Sequence, residues 1–361
     1  GVHVRSLTTG REIYSHNAQR LFNPASNQKI LTTAAALWYL GANYRFRTEV
    51  RADPKLEKGV LHGNQYFKGR GDPTLTTERV FGLVNEIALT GVKEVKGHII
   101  IDDSFFDAVR EGPGWEQEIG DHAYAAPIGA LSVNFNTFEV RVRPGNAVGE
   151  DLQVEVWPPV DTVEVVSAGR TRGRRTRPRI WVGTSKLNRN RVRVTVRGSL
   201  AVDDYGRTYR RRVHDPSRYA GEMIKHMLEM RGVKVKGRVK MGYASRRTTR
   251  PLVNVWSKPL AEIVSTLNKY SNNFMAEQIL KSLSAELYEK PGSWELGQRA
   301  IREFLTEVGI DGKKVVLANG SGLNDANRIT PAQVTRVLQT MYQRFEVRPE
   351  FVSSLAVAGS S

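Results

Sequence analysis

A helix that is apolar along its length and entered through a serine and a lysine constrains this chain more than any other segment. In the run Asn23-Pro24-Ala25-Ser26-Asn27-Gln28-Lys29-Ile30-Leu31 and onward, Ile30, Leu31, Ala34, Ala35, Leu37, Trp38 and Leu40 recur at helical spacing until Gly41. The pattern predicts a largely buried helix that begins between Pro24 and Ser26, with Ser26 and Lys29 one turn apart on the same face. Unpaired amide N–H groups and the positive end of the helix dipole lie at that turn, where they stabilise negative charge near a serine oxygen and disfavour a protonated lysine. This is the layout of a Ser-Lys acyl-transfer enzyme, with serine as nucleophile and lysine as base. A free lysine, with a pKa of about 10.4, is almost wholly protonated at neutral pH, so the chemistry requires desolvation or cationic neighbours. Spacing alone does not single the pair out, because serine commonly caps helices. The apolar face around Lys29 does, since an ordinary lysine there is costly. No other serine of the chain has a lysine three residues later.

A Ser-Lys pair alone neither protonates a leaving group nor orients a substrate. Ser271-Asn272-Asn273 fits that need: it follows a helical stretch, Pro259 to Lys269, and precedes another from Phe274 to Leu287, on a short connection between the two. A hydroxyl and an amide two residues apart there can both reach a cleft. Ser15-His16-Asn17 and Ser132-Val133-Asn134 share the bare pattern, and only motif order and helical setting single out the third.

With these residues in place the chain resembles the penicillin-recognising serine D-Ala-D-Ala carboxypeptidases, specifically the class C low-molecular-mass penicillin-binding proteins of the penicillin-binding protein 4 type. The resemblance runs from end to end. It includes Val2 to Asn17, the Pro24-Ala25-Ser26-x-x-Lys29 box, Gly69-Arg70-Gly71-Asp72-Pro73-Thr74-Leu75 and Ile101-Asp102-Asp103-Ser104-Phe105-Phe106. Further on come Tyr124-Ala125-Ala126-Pro127 with Ala130 to Asn136, then Ser271-Asn272-Asn273, and Asn319-Gly320-Ser321-Gly322-Leu323. The long separation of Lys29 from Ser271 also fits, since related β-lactamases join the two motifs through a much shorter helical segment. The resemblance implies that Ser26 forms the acyl-enzyme, Lys29 takes its proton, Ser271 relays a proton to the departing D-Ala, and Asn273 bonds the substrate's peptide group. The backbone N–H of Ser26 would be one oxyanion donor. The implied substrates are peptidoglycan stem peptides, cut by carboxypeptidase or endopeptidase action, with β-lactams as covalent inhibitors and a periplasmic or otherwise extracytoplasmic location.

Two departures stand out. The family's third motif, Lys-Thr-Gly on a strand lining the cleft, does not occur in the sequence, which ends at Ala356-Val357-Ala358-Gly359-Ser360-Ser361. A further C-terminal piece carrying it is the expectation, and it puts the activity of the chain as given in question. Asp325 stands near where some relatives carry an arginine for a stem-peptide carboxylate, and an aspartate would repel that group.

The fold implied is mixed α/β (α+β), a penicillin-binding, transpeptidase-like catalytic domain of antiparallel sheet and helices, split by a long, mostly β insertion. Residues 1–47 and 253–361 form the catalytic part, with Thr8-Thr9-Gly10 as a hairpin turn, an amphipathic helix from Ser293 to Val308 and a further one entered by Thr330-Pro331. Residues 48–70 with 146–252 are expected as a β-rich inserted domain and 71–145 as a second one. Strands are predicted at Tyr44–Ala52, Val60–Phe67, His98–Asp102, Phe138–Arg143, Leu152–Trp157, Arg179–Val182 and Arg191–Arg197. The stretch from Trp115 to Asn136 is expected to help wall the cleft.

There is no cysteine, hence no disulfide or thiolate metal site, in keeping with an extracytoplasmic protein. No apolar run reaches membrane-spanning length, and Gly1 enters strand-like alternation directly, as expected of a chain trimmed of a leader. The histidines form no ligand pair, so neither a metal nor a cofactor is expected. Gly320-Ser321-Gly322 is not the Gly-x-Ser-x-Gly nucleophile elbow and reads as a turn.

Against 37 Asp and Glu stand 54 Lys and Arg, a net charge of +17, much of it in Arg170-Thr171-Arg172-Gly173-Arg174-Arg175-Thr176-Arg177-Pro178-Arg179 and in Arg207 to Arg212. The first run reads as an exposed loop that would attract an anionic cell-wall polymer or a membrane surface. A basic nucleic-acid-binding protein is a rival reading, but no zinc-finger spacing or RNA-recognition motif supports it. A second rival is a catalytically inactive relative that binds the cell wall without hydrolysing it.

Overall fold

In the computed structural model, which describes residues 1–115, 120–159, 163–188 and 191–359, the chain opens with a hairpin of β1 (Val2–Arg5) and β2 (Glu12–His16). A 3-10 turn at Ala25–Asn27 leads into α1 (Gln28–Leu40), which ends at Gly41, in a positive-φ conformation. Next come β3 (Arg47–Ala52), β4 (Leu56–Glu57), β5 (Val60–Leu61), β6 (Gln65–Gly69), α2 (Thr77–Leu89), β7 (Glu94–Val95) and β8 (Ile99–Asp102). Then come β9 (Thr137–Arg143), β10 (Gln153–Trp157), β11 (Val163–Arg172), β12 (Arg179–Asn188), β13 (Arg191–Ala201) and β14 (Arg207–Arg212). After α3 (Pro216–Met230), β15 (Lys234–Val235), β16 (Val239–Met241) and β17 (Arg250–Trp256) the chain is helical: α4 (Leu260–Tyr270), α5 (Asn273–Tyr288), α6 (Trp294–Glu307), α7 (Pro331–Gln343) and α8 (Arg348–Ser354).

Two hydrophobic cores result. In the first, α1 and α5 are central: Leu31, Ala34, Ala35, Ala36 and Leu37 of α1 are buried, and α5 is buried without a break from Phe274 to Ala285. The small alanines let α1 lie close to its neighbours, while Ile263, Phe304, Val337 and Phe351 from the surrounding helices fill the remaining space. Phe106, Trp115, Ala125 and Ile128 reach into this core from the long central segment. The second core lies under the sheets and is filled by residues such as Val50, Phe67, Leu83, Ile87, Ile99, Val140, Val196 and Met223. Its largest sheet has the order β16-β8-β6-β3-β17, with β6, β8 and β16 parallel and β3 antiparallel to both neighbours. The fold is therefore mixed α/β, with several sheets and a helical part.

Most predicted strands recur with shifted ends, but the one predicted at Val60–Phe67 divides into β5 and β6, which belong to different sheets; the helices on either side of Ser271 begin and end within one or two residues of expectation. Several features depart from the sequence reading, among them strands β4, β7, β15, β16 and β17, which no predicted strand covers. Helices α2 and α3 stand in the stretch read as mostly β; Val80, Leu83, Val84 and Ile87 give α2 a buried stripe at helical spacing. Strand β11 was not foreseen, and the arginine run is not all loop: Arg170 to Arg172 end β11, residues 173–178 turn, and Arg179 opens β12. The arginines of β11 sit on its solvent side while Thr171 is fully buried, so backbone pairing with β13 sustains a strand that composition conceals. Arg207 to Arg212 likewise form a strand, β14, paired with β9.

Candidate active site

The first turn of α1 and the α4–α5 junction meet at one end of the helical core. Ser26 sits in the 3-10 turn before α1 and is exposed, whereas Lys29, one turn on, is only 2% exposed. The Lys29 Nζ lies 3.1 Å from Ser26 Oγ and donates a 2.7 Å bond to the carbonyl of Ser321. Ser271 caps α4 in a left-handed conformation, φ 53°, which turns its hydroxyl toward α1, and its Oγ donates to Ser26 Oγ at 2.9 Å. Ser26 Oγ thus has an amine on one side and a hydroxyl on the other. Asn272 caps α5 by accepting from the Met275 N–H at 3.0 Å, which fixes Asn273 as the first residue of that helix. The Asn273 amide donates to the carbonyl of Tyr124 at 3.2 Å.

All four residues singled out by sequence are brought together. A hollow of about 440 Å³ opens over Ser26 and Asn273 and is bordered by Asn23, Gly322, Leu323 and Asp325. A second, of about 240 Å³, lies across Ser271 and Asn273 and is walled by Tyr124, Phe135 and Arg210. Part of the Trp115–Asn136 stretch therefore borders the site, while residues 116–119 lie outside the described residues. At the mouth, Asp325 accepts from the side-chain amide of Asn23.

Burial pulls the Lys29 pKa down to about 8, against a smaller opposing pull from the negative charge of Glu277. At pH 7 roughly one molecule in ten then carries a neutral amine, against roughly one in 2,500 for a free lysine. The folded-state value is depressed, so the native chain releases this proton before the unfolded chain does. Stability gains from the group as pH rises from about 8 toward the unfolded value.

Sequence reasoning did not identify what holds this lysine. Glu277, fully buried one turn into α5 from Asn273, accepts from the backbone N–H groups of Gly320 (2.9 Å) and Ser321 (2.8 Å) and from the Trp294 indole (2.8 Å). Thr32 donates to the Gly320 carbonyl at 2.7 Å, and Asn319 accepts from the Gly322 N–H at 2.8 Å. All of these bonds but that of Trp294 hold the segment from Asn319 to Gly322, whose Ser321 carbonyl receives Lys29. Gly322 is required twice over: its φ is 78°, and a Cβ there would stand 1.8 Å from the Ala25 carbonyl oxygen. The available signal was an acidic residue inside a helix with no exposed face.

The described residues hold no cluster of histidine and acidic groups that could bind a metal. No helix among them is long and apolar enough to cross a membrane.

Comparisons with known proteins find relatives along the whole chain. A D-alanyl-D-alanine carboxypeptidase from Actinomadura sp. (strain R39) is 36% identical over 346 residues, which are 94% of this chain and 63% of that protein. The D-alanyl-D-alanine carboxypeptidase DacB of Haemophilus influenzae is 25% identical over 361 residues, 99% of this chain and 74% of its own length. The chain thus spans less than two thirds of the first relative and about three quarters of the second. The crystal structure of penicillin binding protein 4 (dacB) from Haemophilus influenzae superposes with a TM-score of 0.85 at 25% identity, covering 99% of this chain and 78% of the other. A structure of that protein complexed with a novel β-lactam gives 0.80 at 24% identity, covering 100% and 78%. The model of the D-Ala-D-Ala carboxypeptidase 3 (S13) family matches residues 1–361, and the chain belongs to that family.

Proposed function

We propose that the protein is a serine DD-peptidase that hydrolyses D-Ala-D-Ala bonds of peptidoglycan stem peptides through an acyl-enzyme. The observation that carries the reading is a serine hydroxyl held between a desolvated lysine amine and a second serine hydroxyl, in a chain of this family. Ser26 Oγ attacks the carbonyl carbon of the penultimate D-Ala while neutral Lys29 takes its proton. The Ser26 N–H, at the start of the helix, stabilises the oxyanion. Ser271 relays a proton to the amine of the departing D-Ala as the C–N bond breaks, and water then hydrolyses the ester. Asn273, held by Tyr124, aligns the substrate's peptide group. A β-lactam enters the same path, its ring amide opening onto Ser26.

In this reading residues 1–47 and 253–361 form the catalytic part, 48–70 with 146–252 a β-rich inserted domain and 71–145 a second one; the first core is built mostly from the catalytic part and the second mostly from the insertion, while Phe106, Trp115, Ala125 and Ile128 of the insertion join the first. The protein works outside the cytoplasm, where the wall lies, and its arginine-rich surface faces anionic wall polymer or membrane headgroups.

The direct test is release of D-Ala from a soluble D-Ala-D-Ala peptide as a function of pH. The rate is expected to rise through an apparent pKa of about 8, because only neutral Lys29 serves as base. A stem-peptide-binding protein without turnover would release no D-Ala at any pH. A rate that is flat across that range would remove lysine from the base role.

A further inference from the structure

The three-stranded sheet β11-β13-β12 buries one face and presents the other to solvent. On the inner face Thr171, Val182, Val194, Val196 and Leu200 are buried. The register places the outer side chains in rows: Arg170, Ser199 and Arg179 lie across from one another, and so do Ala168, Arg197 and Trp181. Along this face and around the turn at 173–178, Arg172, Arg174, Arg175, Arg177 and Arg179 are exposed, and none forms an ion pair with an acidic group among the described residues. The nearby acids are already committed: Asp151 to Arg170 at 2.5 Å, Glu164 to Arg193 at 2.9 Å and Asp204 to Arg207 at 3.0 Å. Asp203 accepts only the backbone N–H of Arg175, at 3.3 Å.

We infer that this face and its turn form a second docking surface, remote in sequence from Ser26 and Ser271, for the carboxylate-bearing polymer of the wall. The inference rests on the cell-wall reading above and names where the polymer is held. The five arginines are spread over the turn and the two flanking strand ends, so they offer several separate guanidinium groups at once. They suit a chain with repeated charges, each met by a planar fork of donors. A membrane surface fits less well. The turn carries no bulky apolar side chain to bury among lipids.

The test compares the parent protein with a variant carrying Arg172→Ser, Arg174→Ser, Arg175→Ser, Arg177→Ser and Arg179→Ser, in co-sedimentation with purified peptidoglycan freed of other polymers. A control variant, Arg246→Ser with Arg247→Ser, removes exposed charge elsewhere. Parent binding is expected to weaken with added salt. The quintuple variant should bind at least tenfold more weakly while the control binds like the parent, with hydrolysis of a soluble D-Ala-D-Ala peptide unchanged in all three. Equal binding by the quintuple variant would overturn the inference. So would tighter binding by the parent to phosphatidylglycerol vesicles, to a DNA oligonucleotide or to a phosphodiester polymer than to peptidoglycan. If peptidoglycan binding depends on these arginines but no D-Ala is released by any form, the docking surface stands and the peptidase reading fails.

Discussion

Replacing Lys29 with alanine is expected to slow acylation by benzylpenicillin between roughly 10²- and 10⁴-fold at neutral pH, the range that a positioned general base contributes. Two features of the structure set this expectation. Nζ lies 3.1 Å from Ser26 Oγ, within reach for proton transfer, and burial brings its pKa down to about 8. Among the described residues no other lysine is hydrogen-bonded to that hydroxyl; a second buried lysine, Lys281, is engaged with Asp107 at 2.6 Å on the far part of α5. The residual rate of the variant should also lose the rise with pH near 8. Stopped-flow acylation across pH 6 to about 10 reads both effects. Acylation of Lys29→Ala at the parent rate would show that the proton goes elsewhere.

The second large effect is expected at Glu277, which never touches the hydroxyl. Glu277→Gln keeps the side chain's size but turns one acceptor oxygen into an NH₂ donor, which then faces an N–H of Gly320, Ser321 or Trp294. A buried N–H left without a partner costs about 1–3 kcal/mol, so the thermal midpoint should fall by several degrees. The segment from Asn319 to Gly322 loosens with it, and the Ser321 carbonyl no longer fixes Lys29. The variant carries a further signature. Glu277 raises the lysine's pKa through its charge, so its loss should move the pH limb of acylation below about 8. A purely structural role would lower the thermal midpoint and leave the limb where it is. An unchanged midpoint with an unchanged limb would remove Glu277 from the account altogether.

How much of this was legible depended on whether the information was local. Ser26 and Lys29 were visible because both lie within one helical turn and the apolar stripe after them is unbroken. The cap Thr330 and the helix start at Ser293 were visible for the same reason, and both side chains accept from a backbone N–H three residues on. The approach of Ser271 to Ser26 was not contained in spacing, since it arises when α1 and α5 pack side by side with their N-termini at one end. It entered through resemblance. Glu277 was hidden because its partners are backbone N–H groups more than 40 residues away, which no pattern of residue types marks. Strand β11 was hidden because Gly, Ser, Thr and Arg read as loop, while its partner in a parallel pairing, β13, lies beyond another strand. Helix α2 carried its signal in plain sight, in the spacing of Val80, Leu83, Val84 and Ile87, and was overlooked amid the strands around it.

The central claim is that Ser26 is the acylated nucleophile. Intact-mass spectrometry of the protein after incubation with benzylpenicillin, followed by peptide mapping, tests it most directly. The account predicts one added penicilloyl group, located on the peptide containing Ser26 and absent from Ser26→Ala, with both proteins folded by circular dichroism. An adduct that persists in folded Ser26→Ala, or one that maps to a peptide without Ser26, would contradict it.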